Sequence, residues 1–359
     1  MAREVGGRGA RIGLAVTMAD VAAVAGVTKM TVSRVLRRPE RVHPETRGRI
    51  LRVMDELGYI PNRMAGSLTA GRSGLVAAIV PTLRHSLFAD TIEGLSDVLA
   101  EAGLDLIVAS SRYRTDVEES QIRAMLERRP DAVALTGLTH TPEARLLLRA
   151  TGVPVVETWE IADEPIDMVV GYSNRDAARA MTLALVQSGY RAIAFVNGPG
   201  EANERARHRA EGYRAALQAA GVEALPVAIV RDVGTIRIET GARALRKLLR
   251  DHPDIDAVFF TSDVYAVGAI LECRKLGIAV PERLGIAGFH DLEMGRLVSP
   301  TLTTVHVPAM EIGRQTGRMI LRRLAGENVP RPSQELAFRI VRRESTRAPM
   351  RRSAPRRNA

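Results

Sequence analysis

The chain reads as an all-α helix-turn-helix head joined to an α/β body of two Rossmann-like subdomains. Three observations predict this. Residues 17–36 place two short helical patterns on either side of Gly26. From residue 75 onward, short apolar runs alternate with amphipathic stretches in two successive series. At 359 residues the chain exceeds what one core usually holds, so two or three domains are expected.

Residues 1–16 read as a disordered extension and residues 17–61 as the helical head. Thr17 suits an N-cap, its hydroxyl being able to accept from an unpaired backbone N–H. Met18, Val21, Ala22 and Ala25 then recur at helical spacing, and Gly26 breaks the pattern where a turn is needed. The pattern restarts at Thr28. At about 100° per residue, Val32, Val35 and Leu36 share one side of the second helix, while Lys29, Met30, Ser33, Arg34 and Arg37 share the other. A buried stripe opposite a face of long donors is what a recognition helix in a DNA major groove requires. Pro44 opens a third helix, its fixed φ suiting a first turn. Ile50, Met54 and Leu57 form its apolar face and Gly58 ends it.

The run Val16–Leu36, with Val42-His43-Pro44-Glu45-Thr46-Arg47 and Glu56-Leu57-Gly58-Tyr59-Ile60-Pro61-Asn62-Arg63, resembles the head of LacI/GalR-type bacterial repressors. The segment VTKMTVSR is similar to that of the gluconate-utilisation repressors within the family. The resemblance extends from about Thr17 to Arg343, and it implies a periplasmic-binding-protein-like body. His43 stands where the family usually has serine, so that cap is weaker. The implied DNA contacts are Thr17, Thr28, Lys29, Met30, Thr31, Ser33, Arg34, Asn62, Arg63 and Leu68. Among them Lys29, Met30 and Arg34 are expected to read base edges, and Thr28, Ser33 and Arg63 to hold phosphates. The partner is double-stranded, pseudo-palindromic operator DNA, which calls for a homodimer because one head reads a half-site.

Residues 62–73 form a linker in which Asn62 can cap a short helix. A lone helix of roughly eight residues is unstable in water, and Gly66 costs it about 1 kcal/mol more. The resemblance makes this the hinge helix, folding on DNA with Leu68 wedged into the minor groove.

Strands are expected at 75–81, 104–109, 131–136, 153–157 and 168–171, then at 192–196, 226–230, 257–261 and 285–289. Helices fall between them at 89–102, 117–129, 175–188, 203–220, 235–249 and 263–276. Gly103, Gly152, Gly189, Gly221 and Gly277 stand at helix ends. Such alternation argues parallel sheets covered on both faces, with a ligand cleft at the carboxyl ends of the strands. The body spans 74–345, the first subdomain taking 74–171 and 305–330 and the second 172–304 and 331–345. Residues 346–359 read as a basic disordered tail without heptads.

The net charge of +10 is unevenly spread. Residues 1–72 carry +7 and residues 339–359 another +7, leaving −4 on the rest. Basic ends on a mildly acidic body fit a nucleic-acid-binding head on a body with another task. The single cysteine, Cys273, excludes an internal disulfide and reads as a packing residue. With no signal-peptide pattern and no run of about 18 apolar residues, the expected location is the cytoplasm, away from membranes.

The rival class is an α/β enzyme on a sugar acid with a basic extension. Its chemistry is missing: no phosphate-binding G-x-x-x-x-G-K-[ST], no G-x-S-x-G and no H-E-x-x-H occurs. The seven histidines show no metal-ligand spacing. No catalytic residue, metal or cofactor is therefore expected.

Strand carboxyl ends supply His85 and Phe88, Thr136 and His140, Glu157 and Trp159, Ser262 and Asp263, and His290 and Asp291 as candidates. The resemblance narrows the effector set to Ser86, Phe88, Thr136, Glu157, Trp159, Arg209, Ser262, Asp263 and His290. It makes Arg209 the arginine that clamps the ligand, and His290 replaces a common aspartate. Arg209 with His290 makes the cleft more positive, which suits a sugar acid, because arginine presents a fork matched to carboxylate. Trp159 reads either as a core residue or as a stacking platform.

Overall fold

The structure, a computed structural model, describes residues 16–60, 72–83, 86–198, 203–226, 228–229, 237–327, 329 and 333–349. The chain divides into two compact units after Ser73.

The first unit holds α1 (Met18–Ala25), α2 (Lys29–Arg37) and α3 (Pro44–Leu57). Asp20 closes the start of α1 by accepting from both the backbone N–H and the hydroxyl of Thr17, at 2.8 and 2.7 Å. Thr17 and Asp20 thus face each other reciprocally as a capping box at the expected N-cap. Gly26 takes φ 64° and turns the chain toward α2, whose first turn is capped by Thr28 Oγ1 accepting from Thr31 N–H at 3.2 Å. No His43 side-chain bond caps α3. Val21, Ala25, Val32, Val35, Ile50 and Met54 form the core that fixes the three helices.

The body contains two six-stranded sheets, each built around a doubly wound core. The first takes β1 (Leu75–Val80), β2 (Asp105–Ser110), β3 (Ala132–Thr136), β4 (Val155–Thr158) and β5 (Met168–Gly171) in the order 2-1-3-4-5, with β11 (Ser333–Glu335) beyond β5. The second repeats the pattern with β6 (Ile193–Asn197), β7 (Ala228–Ile229), β8 (Ala257–Phe260), β9 (Gly285–His290) and β10 (Thr303–His306) in the order 7-6-8-9-10. β12 (Arg339–Val341) pairs antiparallel with β10 and closes that edge. Every other pairing among the described residues is parallel. Order reverses between β1 and β3 and between β6 and β8, so crevices open at the carboxyl ends of these strands.

Apolar residues line both faces of each sheet. α4 (Ser86–Glu101) and α12 (Ala309–Leu324), which follows the short α11 (Met294–Leu297), cover one face of the first sheet; α5 (Thr115–Leu126) and α6 (Pro142–Thr151) cover the other. α7 (Asn174–Gln187) and α8 (Glu204–Ala219) cover one face of the second, α9 (Ile238–Asp251) and α10 (Asp263–Leu276) the opposite one. The α9–α10 crossing is close because a methyl group on Gly241 would meet the Tyr265 carbonyl, and one on Gly268 the Ile238 carbonyl. All five glycines expected at helix ends take positive φ. Cys273 is buried in the α10 core.

Two subdomain boundaries differ from the sequence expectation. β10 keeps the chain in the second sheet through His306, not 304, and β11 returns it to the first sheet through Glu335, past the expected crossing at 331. Ser333-Gln334-Glu335 has no apolar alternation, so nothing in its pattern marks a strand. The strand expected at 226–230 shortens to Ala228–Ile229 among the described residues.

Candidate functional site

In the head, α2 offers a face of the expected chemistry. Lys29, Arg34 and Arg37 are exposed, and Met30 keeps 70% of its surface in solvent. Thr31 and Ser33 are half-buried beside them. An exposed methionine between long cations has no packing role and is available for apolar contact. Thr28 is exposed but already caps the helix and lies 3.0 Å from the Thr31 hydroxyl. Asn62, Arg63 and Leu68 lie outside the described residues.

In the body, candidates converge at the strand carboxyl ends. Backbone pairing sets Gly137 N–H on the Thr158 carbonyl at 2.8 Å, which brings the loops after β3 and β4 together. Trp159 follows at φ 72°, held by Asn174 Nδ2 donating to its carbonyl at 2.8 Å. Its ring meets Phe88 edge-on at 5.0 Å and His290 at 6.1 Å. Phe88 is buried; the Ser86 side chain is outside the described set. Across from them, Arg209 lies over the Phe289 ring at 4.9 Å. It donates to the Thr261 carbonyl at 3.4 Å and stands 3.3 Å from His290 Nε2.

Burial, reinforced by Arg209 and Arg205, holds the His290 pKa well below the ordinary histidine value, so the imidazole is neutral. With Nε2 accepting from Arg209, the proton sits on Nδ1, which has no hydrogen-bond partner. Trp159 Nε1 and Arg205 Nη1 are also buried without a hydrogen bond. All three are donors. Buried donors left unpaired cost free energy, so this cluster is organised for an acceptor. Trp159 and His290 line a 560 Å³ cavity together with Arg296 and the start of α12; Arg205, Arg209 and Phe88 are not among its lining residues. Positive φ at Arg112, Tyr113, Trp159, His290 and Asp291 gathers strained backbone in the same strand-end loops.

Other candidates sit elsewhere. Glu157 is fully buried, accepting from Ile166 N–H at 2.6 Å and Arg145 at 3.4 Å. It lies 3.2 Å from His140 Nε2 on the α5–α6 side, so it ties structure together and does not line the cavity. Asp263 accepts from the Thr304 hydroxyl at 2.6 Å and Leu292 N–H at 2.7 Å, with burial pushing its pKa up to about 7. Ser262 caps α10 by accepting from Val264 N–H at 3.3 Å. Thr136 ends β3 nearly buried beside Gly137. Asp291, next to His290, gathers Arg296, Arg343 and the His306 ring on one carboxylate.

The sequence reading missed α8's two further roles. Glu204 reaches over the cleft to accept from Leu138 N–H at 3.0 Å and the Thr139 hydroxyl at 2.6 Å. His208 stands 2.8 Å from Glu160. Arg205, four residues before Arg209, could have been found from helical spacing alone.

His140 offers a pH test. Burial lowers its pKa, but the hydrogen bond to Glu118 and the Glu157 carboxylate 3.2 Å away outweigh this and lift it to about 9. The folded value lies above the unfolded one of about 6.5, so this stabilisation is complete below pH 6.5 and is lost as pH rises through 9. Denaturant unfolding should show stability falling across that window, with His140→Gln flattening the slope. An unchanged slope in the variant would contradict the assignment.

Two family profiles match the chain. One, described as bacterial regulatory proteins of the lacI family, covers residues 17–62, and one, described as a periplasmic binding protein-like domain, covers 182–346. The HTH-type transcriptional regulator GntR of Escherichia coli (strain K12) is 36% identical over 321 residues, 89% of this chain and 96% of the relative. The HTH-type transcriptional regulator IdnR of the same strain is 34% identical, covering 90% of this chain and 97% of the relative. A crystal structure of a LacI-family transcriptional regulator from Silicibacter pomeroyi aligns with TM-score 0.86 at 34% identity, over 93% of this chain and 100% of that one.

Proposed function

This chain belongs to the LacI family of bacterial regulatory proteins, and from that premise we propose a cytoplasmic, homodimeric repressor that a sugar acid, gluconate foremost, releases from a pseudo-palindromic operator. The observation that carries the acid is the set of buried donors without acceptors at Trp159 Nε1, His290 Nδ1 and Arg205 Nη1. A sugar hydroxyl both donates and accepts, whereas a carboxylate only accepts. The similarity to the regulators named GntR and IdnR supports the resemblance to gluconate-utilisation repressors.

In this reading Arg209 clamps the carboxylate from the second subdomain, and the Phe88–Trp159 pair supports the sugar from the first. Effector bound between the subdomains biases their closure and the spacing of two hinge segments, at which Leu68 wedges the operator. Operator affinity then falls by the effector's differential affinity for the two arrangements.

The test titrates gluconate, 2-ketogluconate, 6-phosphogluconate and glucose against the complex of full-length protein with an operator selected from random duplexes. Fluorescence anisotropy should report release by at least one acid and none by glucose. Release by glucose with all three acids inert would refute the acid while leaving the repressor in place.

A further inference from the structure

We propose that Glu204 and His208 on α8 latch the second subdomain onto the strand-end loops of the first and hold the cleft closed before any effector enters. The latch then shares with the effector in setting the balance between operator-bound and released arrangements. The sign of its effect on operator rests on the effector reading above; the closure itself does not. The Glu204 carboxylate offers one oxygen to each of two donors on the loop after β3. Oε1 accepts from Leu138 N–H at 3.0 Å and Oε2 from the Thr139 hydroxyl at 2.6 Å. Burial raises the Glu204 pKa, but Arg205 and the same two donors outweigh this and hold it at about 2, so both bonds are charge-assisted. One turn along α8, His208 Nδ1 stands 2.8 Å from Oε2 of Glu160, the residue after Trp159. Glu204 and Glu160 are 5% and 3% exposed, so water competes little for either contact.

The first subdomain fixes this loop from behind. Arg145 Nη2 donates to the Leu138 carbonyl at 2.9 Å, the Thr141 hydroxyl donates to Glu119 at 2.7 Å, and His140 sits between Glu118 and Glu157. Leu138 N–H and the Thr139 hydroxyl therefore meet α8 with little freedom left to lose. Gly137 lets α8 come this near: its φ is 94°, and a Cβ there would stand 2.6 Å from Glu204 Oε1. None of Leu138, Thr139, Glu160, Glu204 and His208 lines the 560 Å³ cavity. The subdomains are thus joined through groups outside the cavity wall, and closure needs no ligand. An effector that prefers the closed state loses less affinity when that state is already populated. Operator, which prefers the other state, is held less tightly for the same reason.

Trp159, the only tryptophan, reports closure directly, being 1% exposed between Phe88 of the first subdomain and His290 of the second. In the full-length protein without effector, its emission should resist quenching by acrylamide. Glu204→Ala and Thr139→Val should each raise the quenching constant severalfold, whereas Thr139→Ser, which keeps the hydroxyl, should not. Equal quenching in wild type and in both folded variants overturns the latch. The double variant should match Glu204→Ala alone, because the two side chains act through one contact; additive effects overturn that pairing. An unchanged constant in His208→Ala removes His208 from the latch. Operator affinity from anisotropy and gluconate affinity from calorimetry then read the same balance. Opening the cleft tightens operator and weakens gluconate, and the product of the two fold-changes is the fold-change in closure. For Glu204→Ala that product should be about tenfold or more. A product of one overturns the claim that the latch sets the balance. Should wild type not bind gluconate, the effector reading fails, while Trp159 quenching still decides the latch.

Discussion

Arg209→Ala should leave operator binding intact and abolish release by the sugar acid, producing permanent repression. Truncating one partner of a buried, charge-assisted contact costs about 2–5 kcal/mol of binding, enough to carry the effector concentration for release up by well over tenfold. The fold should tolerate the change. Arg209 is buried with a desolvated charge whose contacts are the Arg205 and Thr261 carbonyls, His290 and the Phe289 ring, so its removal breaks no ion pair among the described residues. Burial, with Arg205 adding repulsion, lowers the Arg209 pKa, a sign that the folded protein alone gains little from this charge. Thermal melting and operator affinity of the variant control for general damage. Release of the variant from operator at the wild-type effector concentration would remove Arg209 from the effector site.

The contrast between Arg209 and Glu157 shows what a sequence discloses about such a cleft. Glu157 was expected from its position at a strand end, Arg209 from the family resemblance. Arg209 reaches the convergent donors because α8 turns it inward. Glu157 sits two residues before Trp159, a spacing that in a continued strand would put both on one face; β4 ends at Thr158 and Trp159 turns away at φ 72°, while the Glu157 carboxylate stays with Arg145 and His140. Side-chain alternation could not have separated the two; the positive φ at Trp159 does, and no pattern in the sequence marks it. Asp263 and Ser262 illustrate a different limit. Each is polar and at a strand end, yet each is consumed by backbone and hydroxyl partners that come from Val264, Leu292 and Thr304. No spacing rule in the chain exposes those tertiary bonds. The doubly wound sheets, by contrast, were legible because apolar runs and helix-ending glycines repeat. β11 escaped because a short polar edge strand takes its hydrogen bonds from the neighbouring backbone, and its side chains need carry no pattern.

At the other end of the chain, Arg34→Ala should lower affinity for operator by about 1–3 kcal/mol and relax preference at one base pair of each half-site. Arg34 projects from α2 on the side opposite Val32 and Val35, whose burial leaves the helix one orientation within the head. Thr28 caps the helix through Thr31, so the exposed face formed by Lys29, Met30 and Arg34 is presented on an ordered first and second turn. A guanidinium there can make the bidentate contact to guanine O6 and N7, which no other base satisfies equally. Loss of a phosphate contact has another signature: it weakens all sequences alike and reduces the salt dependence by about one counterion. Anisotropy titrations on operator, on single-base variants and on random duplex, each at several salt concentrations, separate the two. A uniform loss with a shallower salt slope would make Arg34 a backbone anchor. Met30→Ala should change the preference for a thymine methyl more than the overall affinity, because a thioether face carries no charge to phosphate. If Arg34→Ala keeps the wild-type ratio of operator to random affinity, base reading must be reassigned to Lys29 and its neighbours on the same exposed face.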